Sequence, residues 1–206
     1  MSYKIIVARY NENIDWLNTE INNCIIYNKG TPLNINNEIM IPNVGRESDT
    51  YLHYIITNYN NLPDVIVFTQ ARISDHRGSN DINYLINLKN EALIYKKSKP
   101  LISHHKTNYK TCWSNDWNLL DNDKYYLQDC YKNNKPLIFE EWFTTNINSN
   151  YPNPIHIYCN GIFAVTKELI LKHPIDYYKK LILEVNHHIN STEGHFFERS
   201  WYYIFD

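Results

Sequence analysis

Four short stretches of this chain carry side chains suited to polar chemistry. The first is Ala8-Arg9-Tyr10-Asn11-Glu12. Tyr10 can stack on a base, and Asn11 or Glu12 can bond to its edge or to a ribose hydroxyl. The same residues also suit an ordinary polar loop with a helix cap. The second is Pro42-Asn43-Val44-Gly45-Arg46-Glu47, at the opening of a helix. Free backbone amides and the helix dipole attract anions there, and Arg46 adds a fork of donors, so a diphosphate or a carboxylate fits. Glu47 can instead stabilise the dipole and pair with Arg46, and His53 lies two turns further on. The third is Gln70-Ala71-Arg72-Ile73-Ser74-Asp75-His76, where Asp75 and His76 can ligate a divalent cation or orient a substrate hydroxyl. The fourth runs from Glu193 to Trp201. Glu193 and Glu198 are five apart and do not share a helix face cleanly. One therefore points to a site and the other to a partner such as Arg199, while His195 can be a base or a structural residue.

Two other patterns are weaker. Asp121-Asn122-Asp123 is a literal D-x-D, but no strong strand precedes it, and it reads as a surface turn. His104-His105 and His187-His188 lack carboxylate or cysteine partners at metal-ligand spacing.

These residues need a scaffold, and 206 residues suffice for one domain, 1–206, with a substantial core. With 18 Tyr, 7 Phe and 5 Trp the chain can bury that core despite a polar average. A net charge of -2, without basic blocks, argues against a nucleic-acid partner. Heavy use of Asn, Ile, Lys and Tyr reads as an AT-rich coding bias, so a single Asn carries little functional weight. Cys24, Cys112, Cys130 and Cys159 form no C-x-x-C pair, and the start has no signal-peptide pattern. No run reaches membrane-spanning length. The expectation is a cytoplasmic protein with four free thiols.

The elements follow from periodicity. Residues 4–8 form a buried strand and 24–27 a second, closed by Asn28-Lys29-Gly30. From Arg46 a helix places Leu52, Ile55, Ile56 and Tyr59 on one apolar face. Residues 64–69 (DVIVFT) form a central strand, apolar on both faces. Helices follow over 81–93, with Ile82, Leu85, Ile86 and Leu93 inward, over 167–186 with a break near Pro174, and from Glu193. Residues 156–165 read as a strand broken at Asn160-Gly161, and 96–151 shows no period. Strands alternating with helices predict an α/β fold with a mainly parallel sheet flanked by helices. Such sheets bind ligands beyond the carboxyl ends of their strands, which puts residues 10–13, 70–76 and the turn at Gly161 on one rim.

Several segments together resemble a family catalogued as domain of unknown function 3431. They are IIVARYNENIDWL, IIYNKG, IPNVGRESDTYLHYIITNYNNLPDVIVFTQ, the SDH that follows, GIFAVTKELILKHPIDYY and GHFFERSW. The same segments are similar, more distantly, to glycosyltransferases of the A-type fold. That resemblance implies a single glycosyltransferase A-like domain with Tyr10, Asn11 and Glu12 near a nucleotide. It puts Gly161 and Phe163 on the acceptor side, and Glu193 or Glu198 as the base. A metal-binding D-x-D is expected after DVIVFT, but the sequence has Gln70 to His76 there, so Asp75 and His76 replace it or the site does without.

The resulting expectation is transfer of a sugar from a nucleotide-sugar donor to a glycan or protein acceptor. A divalent cation, manganese or magnesium, or Arg46 would stabilise the leaving diphosphate. Two alternatives stay open. One is a metal-dependent hydrolase using Glu47, His53, Asp75 and His76. The other is a non-catalytic carbohydrate-binding domain whose Tyr and Trp stack on sugars.

Overall fold

A computed structural model describes residues 1–96, 139–152 and 161–206, with the backbone of 131–132 and 135–136. Its strands are β1 (Tyr3–Arg9), β2 (Cys24–Asn28), β3 (Glu38–Met40), β4 (Val65–Gln70), β5 (Tyr131–Lys132), β6 (Lys135–Pro136) and β7 (Phe163–Thr166). The α-helices are α1 (Arg46–Asn58), α2 (Ser74–Arg77), α3 (Ile82–Tyr95), α4 (Phe139–Asn146), α5 (Lys167–Ile170), α6 (Ile175–Ile182) and α7 (Thr192–Ile204). A 3-10 helix spans Asp15–Asn23.

The main sheet has the order β3-β2-β1-β4-β7. β1, β2, β3 and β4 run parallel, and β7 runs antiparallel to β4, with Phe68 opposite Phe163. The sheet is therefore mixed rather than wholly parallel, with an antiparallel strand on one edge of a parallel set. This polarity has a functional consequence. The start of β7 meets the carboxyl end of β4, so Gly161, just before β7, arrives on the rim where β1 and β4 end.

Strand alternation divides the core in two. Ile6, Ile66, Phe68, Phe163 and Val165 face one side and pack against α1, α4, α6 and α7. Ile5, Val7, Val65, Val67 and Ala164 face the other and pack against α3 and the 3-10 helix. Both faces of the sheet are thus covered, which accounts for the unbroken apolar run in β4.

The helix ends have local causes. Asp81 caps α3 by accepting the Asn83 N–H at 2.9 Å, and Ser191 caps α7 by accepting the Gly194 N–H at 3.2 Å. Pro174 precedes α6, where its fixed φ suits a helix start. In α1, Leu52 and Ile55 are fully buried as their spacing predicts, whereas Ile56 and Tyr59 are half-buried. The deeper anchors are Tyr51 and Tyr54. Tyr51 can be buried completely because its hydroxyl donates to the Gly161 carbonyl at 2.7 Å. Likewise Leu88 and Ala92 join Leu85 in the buried face of α3. No described helix is long and apolar enough to cross a membrane.

Candidate functional site

A cleft of about 380 Å³ opens on the carboxyl rim of the sheet. Ala8, Arg9, Tyr10 and Glu12 reach it from the end of β1, and Gln70, Arg72, Asp75 and His76 from the end of β4 and α2. Lys29, Asn43, Arg46, Glu47 and Ile189 complete its wall. Three of the four stretches read from sequence thus converge, although they are far apart in the chain. The parallel direction of β1 and β4 brings them together.

Arg9 is the floor of one side. It is the last residue of β1, not the first of a loop, and only 7% exposed. Its Nε donates to the Glu12 carbonyl at 2.9 Å, and its Nη1 donates to Asn28 Oδ1 and to the Tyr10 and Thr31 carbonyls at 2.9–3.1 Å. These bonds tie the loop after β1 to the loop after β2. Glu12 adds a turn by accepting the Tyr10 N–H at 2.7 Å, which leaves the Tyr10 ring half in solvent at the rim. Asn11 points elsewhere: its Oδ1 accepts the Thr31 N–H at 2.8 Å, and it does not line the cleft.

Lys29 holds the opposite wall. Its ammonium donates to the carbonyls of Val44 and Arg46 and pairs with Asp49 at 3.2 Å. Burial pulls Lys29 below the usual lysine range, against the opposing pull of Asp49. The residues it grips include an unusual backbone. Gly45 and Arg46 have φ of 62° and 51°, and a left-handed arginine is uncommon. The Gly45 N–H donates to the His188 carbonyl at 2.7 Å, so the start of α1 is fixed from two sides.

Glu47 is the carboxylate that this arrangement presents. It is 7% exposed, and what is exposed faces the cleft. No described residue donates a hydrogen bond to it; its charged neighbours are Arg46, with Nε at 3.6 Å, and the Lys29 ammonium. Gly161 lies against it. A Cβ there would come within 3.2 Å of Glu47 Cγ, and φ of 57° also favours glycine at that position. Gly161 therefore keeps the space beside the carboxylate open.

The fourth stretch takes a different place. Glu193, His195 and Glu198 do not line the cleft. Glu193 is buried with His187 at 3.7 Å, and Glu198 pairs with Arg199 at 3.5 Å. His195 meets the cleft only through Arg46, whose Nη1 lies 2.8 Å from His195 Nε2. Burial, and then Arg46 and Arg199, hold His195 at a pKa of about 3, so it is neutral and a poor proton acceptor. The folded pKa lies below the unfolded value near 6.5, so stability is complete above that pH and is lost as pH falls towards 3. Between pH 7 and pH 4 this one group should cost about 3 kcal/mol. Urea titrations of the wild type and His195→Gln at both pH values measure it; an equal acid loss in the two proteins would refute it.

Phe163 and His53 are also placed away from the cleft. Phe163 packs in an aromatic cluster with Tyr51, Phe68 and Trp201. Its position in β7 points it into the core rather than to the rim. His53 sits edge-on to Tyr27 with ring centroids 5.7 Å apart.

A divalent cation finds a poor donor set. Among the described residues no three His, Cys, Asp or Glu side chains gather to hold one. Asp75 pairs with Arg72 at 2.9 Å in an exposed ion pair, and His53 is not among the lining residues. Of the residues expected for a hydrolase, Glu47, Asp75 and His76 line the cleft and His53 does not. Among the described tryptophans none offers an open face for sugar stacking; the exposed tyrosine rings are those of Tyr10 and Tyr95. Trp142 and Trp201 are buried, and Trp16 donates its indole N–H to the Ala71 carbonyl at 2.9 Å. Cys24 is a free, buried thiol pushed up to about 12 by burial. The Asp121-Asn122-Asp123 motif, His104-His105 and the other three cysteines lie outside the described residues.

Of the cleft residues, Lys29 and Ile189 lie outside the four stretches read from sequence, and Asn43 and Arg72 lie inside them without an assigned role. Lys29 was hidden in a turn signal, and Ile189 reaches the cleft from a loop that carries no motif. No curated protein and no solved structure matches the chain. A family model described as "Protein of unknown function (DUF3431)" matches residues 5–206, and the chain belongs to that family.

Proposed function

We propose that the cleft transfers a glycosyl group from a nucleotide-sugar donor to the hydroxyl of a glycan or protein acceptor, on a glycosyltransferase A-like domain. The observation that carries this reading is Glu47, a buried carboxylate that opens onto the cleft and accepts no hydrogen bond from any described residue. A carboxylate kept in that state is suited to accept a proton from a bound hydroxyl. The acceptor oxygen then bonds to the anomeric carbon. The bond from that carbon to the diphosphate breaks, and its electron pair leaves with the diphosphate.

The developing charge needs donors already in place. Arg46 and Arg72 both line the cleft and supply them. Arg72 is 58% exposed, so its ion pair with Asp75 is weak enough to rearrange around an anion. Tyr10 is the aromatic of the lining, and its exposed ring suits a nucleobase at the rim. Gly161 borders Glu47, so in this reading an acceptor at Glu47 would lie near the start of β7. A metal-bound diphosphate belongs to the sequence expectation, but the donor set at Asp75 and His76 does not fit a protein-built ion site, and no step is assigned to it.

The test is a screen of nucleoside diphosphates and nucleotide sugars, with and without manganese, by thermal shift and by product formation. At a hundredfold excess over Kd, a ligand of the folded state adds about 2.7 kcal/mol, or roughly 5–10 °C for a chain of this size. At least one nucleotide sugar should give such a shift and be consumed when an acceptor is present. No shift and no turnover across the panel would overturn the reading.

A further inference from the structure

We propose that His195 is a positioning residue: its buried ring holds the Arg46 guanidinium at the cleft for an anionic group of the substrate. Arg46 starts from an unfavourable backbone, with φ of 51°. Such a conformation persists where the surroundings over-determine it, and here several contacts do so. The Lys29 ammonium binds the Arg46 carbonyl at 2.5 Å. The Arg46 side chain then runs across Gly194, whose missing Cβ would stand 3.6 Å from Arg46 Cδ. It ends with Nη1 over the His195 ring, 2.8 Å from Nε2 and 3.2 Å from Nδ1.

The chemistry of this contact is specific. A guanidinium can only donate and carries a positive charge, so the ring it meets must be neutral, with one nitrogen left as acceptor. The environment favours that form, since burial and then Arg46 and Arg199 lower the His195 pKa to about 3. A carboxylate in the same place would fix Arg46 equally well but would neutralise it. A neutral imidazole fixes the fork without adding a countercharge of its own. Glu47 reaches only the Nε edge, at 3.6 Å, beyond hydrogen-bonding distance. With its side chain 29% exposed and in the cleft wall, Arg46 keeps a face for a phosphoryl or carboxylate group.

The test uses inorganic pyrophosphate as probe, a choice that rests on the diphosphate reading of the cleft. Binding is measured by calorimetry for the wild type, His195→Gln, His195→Phe and Arg46→Gln. Glutamine retains a neutral acceptor and phenylalanine retains the ring volume without one. The wild type and His195→Gln should bind within about threefold of each other, and His195→Phe at least about tenfold more weakly. Side-chain NMR of Arg46 Nε–H should show it ordered in the first two and mobile in His195→Phe, without ligand. Wild-type affinity in His195→Phe, equal losses in both His195 variants, or undiminished binding by Arg46→Gln would each overturn the proposal. Should His195→Phe not fold, an Arg46 Nε–H as mobile in the wild type as in the unfolded chain would do the same. Pyrophosphate binding with no sugar transfer would leave this inference standing and remove the glycosyltransferase reading alone.

Discussion

Glu47→Gln is expected to lower glycosyl transfer by about 10²–10⁴-fold, the range associated with loss of a general base. The exchange is isosteric, so the cleft keeps its shape. Stability should change little, because the carboxylate accepts no hydrogen bond from a described residue and its pair with Arg46 spans 3.6 Å. Arg46 is 29% exposed, so the charge left behind can be solvated. The measurement is initial rate with the donor found in the screen, beside a melting curve for each protein. Glu193→Gln and Glu198→Gln are the controls. Both residues lie off the cleft and should leave the rate within a few-fold of wild type. If Glu47→Gln retains full activity, the proton goes elsewhere; if the melting point falls with the rate, Glu47 is a structural carboxylate.

The scaffold was largely legible in the residues. The apolar run of β4, the strand at the start of the chain and the face of α1 follow from periodicity, because burial on one or two faces leaves a fixed spacing. The third strand was not legible. Glu38, Ile39 and Met40 are half-buried or exposed, and Glu38 is turned inward to accept the Leu33 and Asn34 N–H groups at 2.9–3.1 Å. Such a strand has no apolar signature. The 3-10 helix over Asp15–Asn23 was equally silent, with Leu17 its one fully buried residue.

The site was legible where topology dictates it. Residues that follow parallel strands must reach the same rim, so Tyr10, Glu12, Gln70, Asp75 and His76 meet. Roles were less legible than positions. Glu47 read as a substrate-binding residue, with the helix dipole as its alternative role; its burial against Gly161 is a tertiary fact that spacing does not carry. Glu193, Glu198 and His195 read as cleft residues because their helix follows the late strand. The register of α7 instead turns Phe196, Phe197 and Trp201 into the core and places His195 behind Arg46. A helix face cannot be assigned from spacing when nearly every residue in the segment is buried, as in Thr192–Phe197.

Lys29 gives the largest stability effect expected outside the aromatic core. Its ammonium joins two carbonyls of the Pro42–Glu47 loop to the carboxylate of Asp49, and both side chains are nearly buried, at 5% and 7% exposure. Lys29→Met keeps the aliphatic length but strands Asp49, for which no other partner exists among the described residues. Removing one member of a buried pair costs about 3–5 kcal/mol, because the remaining charge is left without compensation. That is a large part of the net stability of a domain, roughly 5–15 kcal/mol. Adding Asp49→Asn to Lys29→Met removes the stranded charge and should recover about 1–3 kcal/mol. The Val44 and Arg46 carbonyls stay unpaired, so recovery is incomplete. Urea denaturation of the wild type, both single variants and the double variant gives the coupling energy directly. The loop opens α1 and sets the left-handed Arg46, so pyrophosphate affinity should fall in the single variant even where the protein remains folded. A stability loss below about 1 kcal/mol in Lys29→Met, or strictly additive effects in the cycle, would show that the lysine does not hold the wall of the cleft.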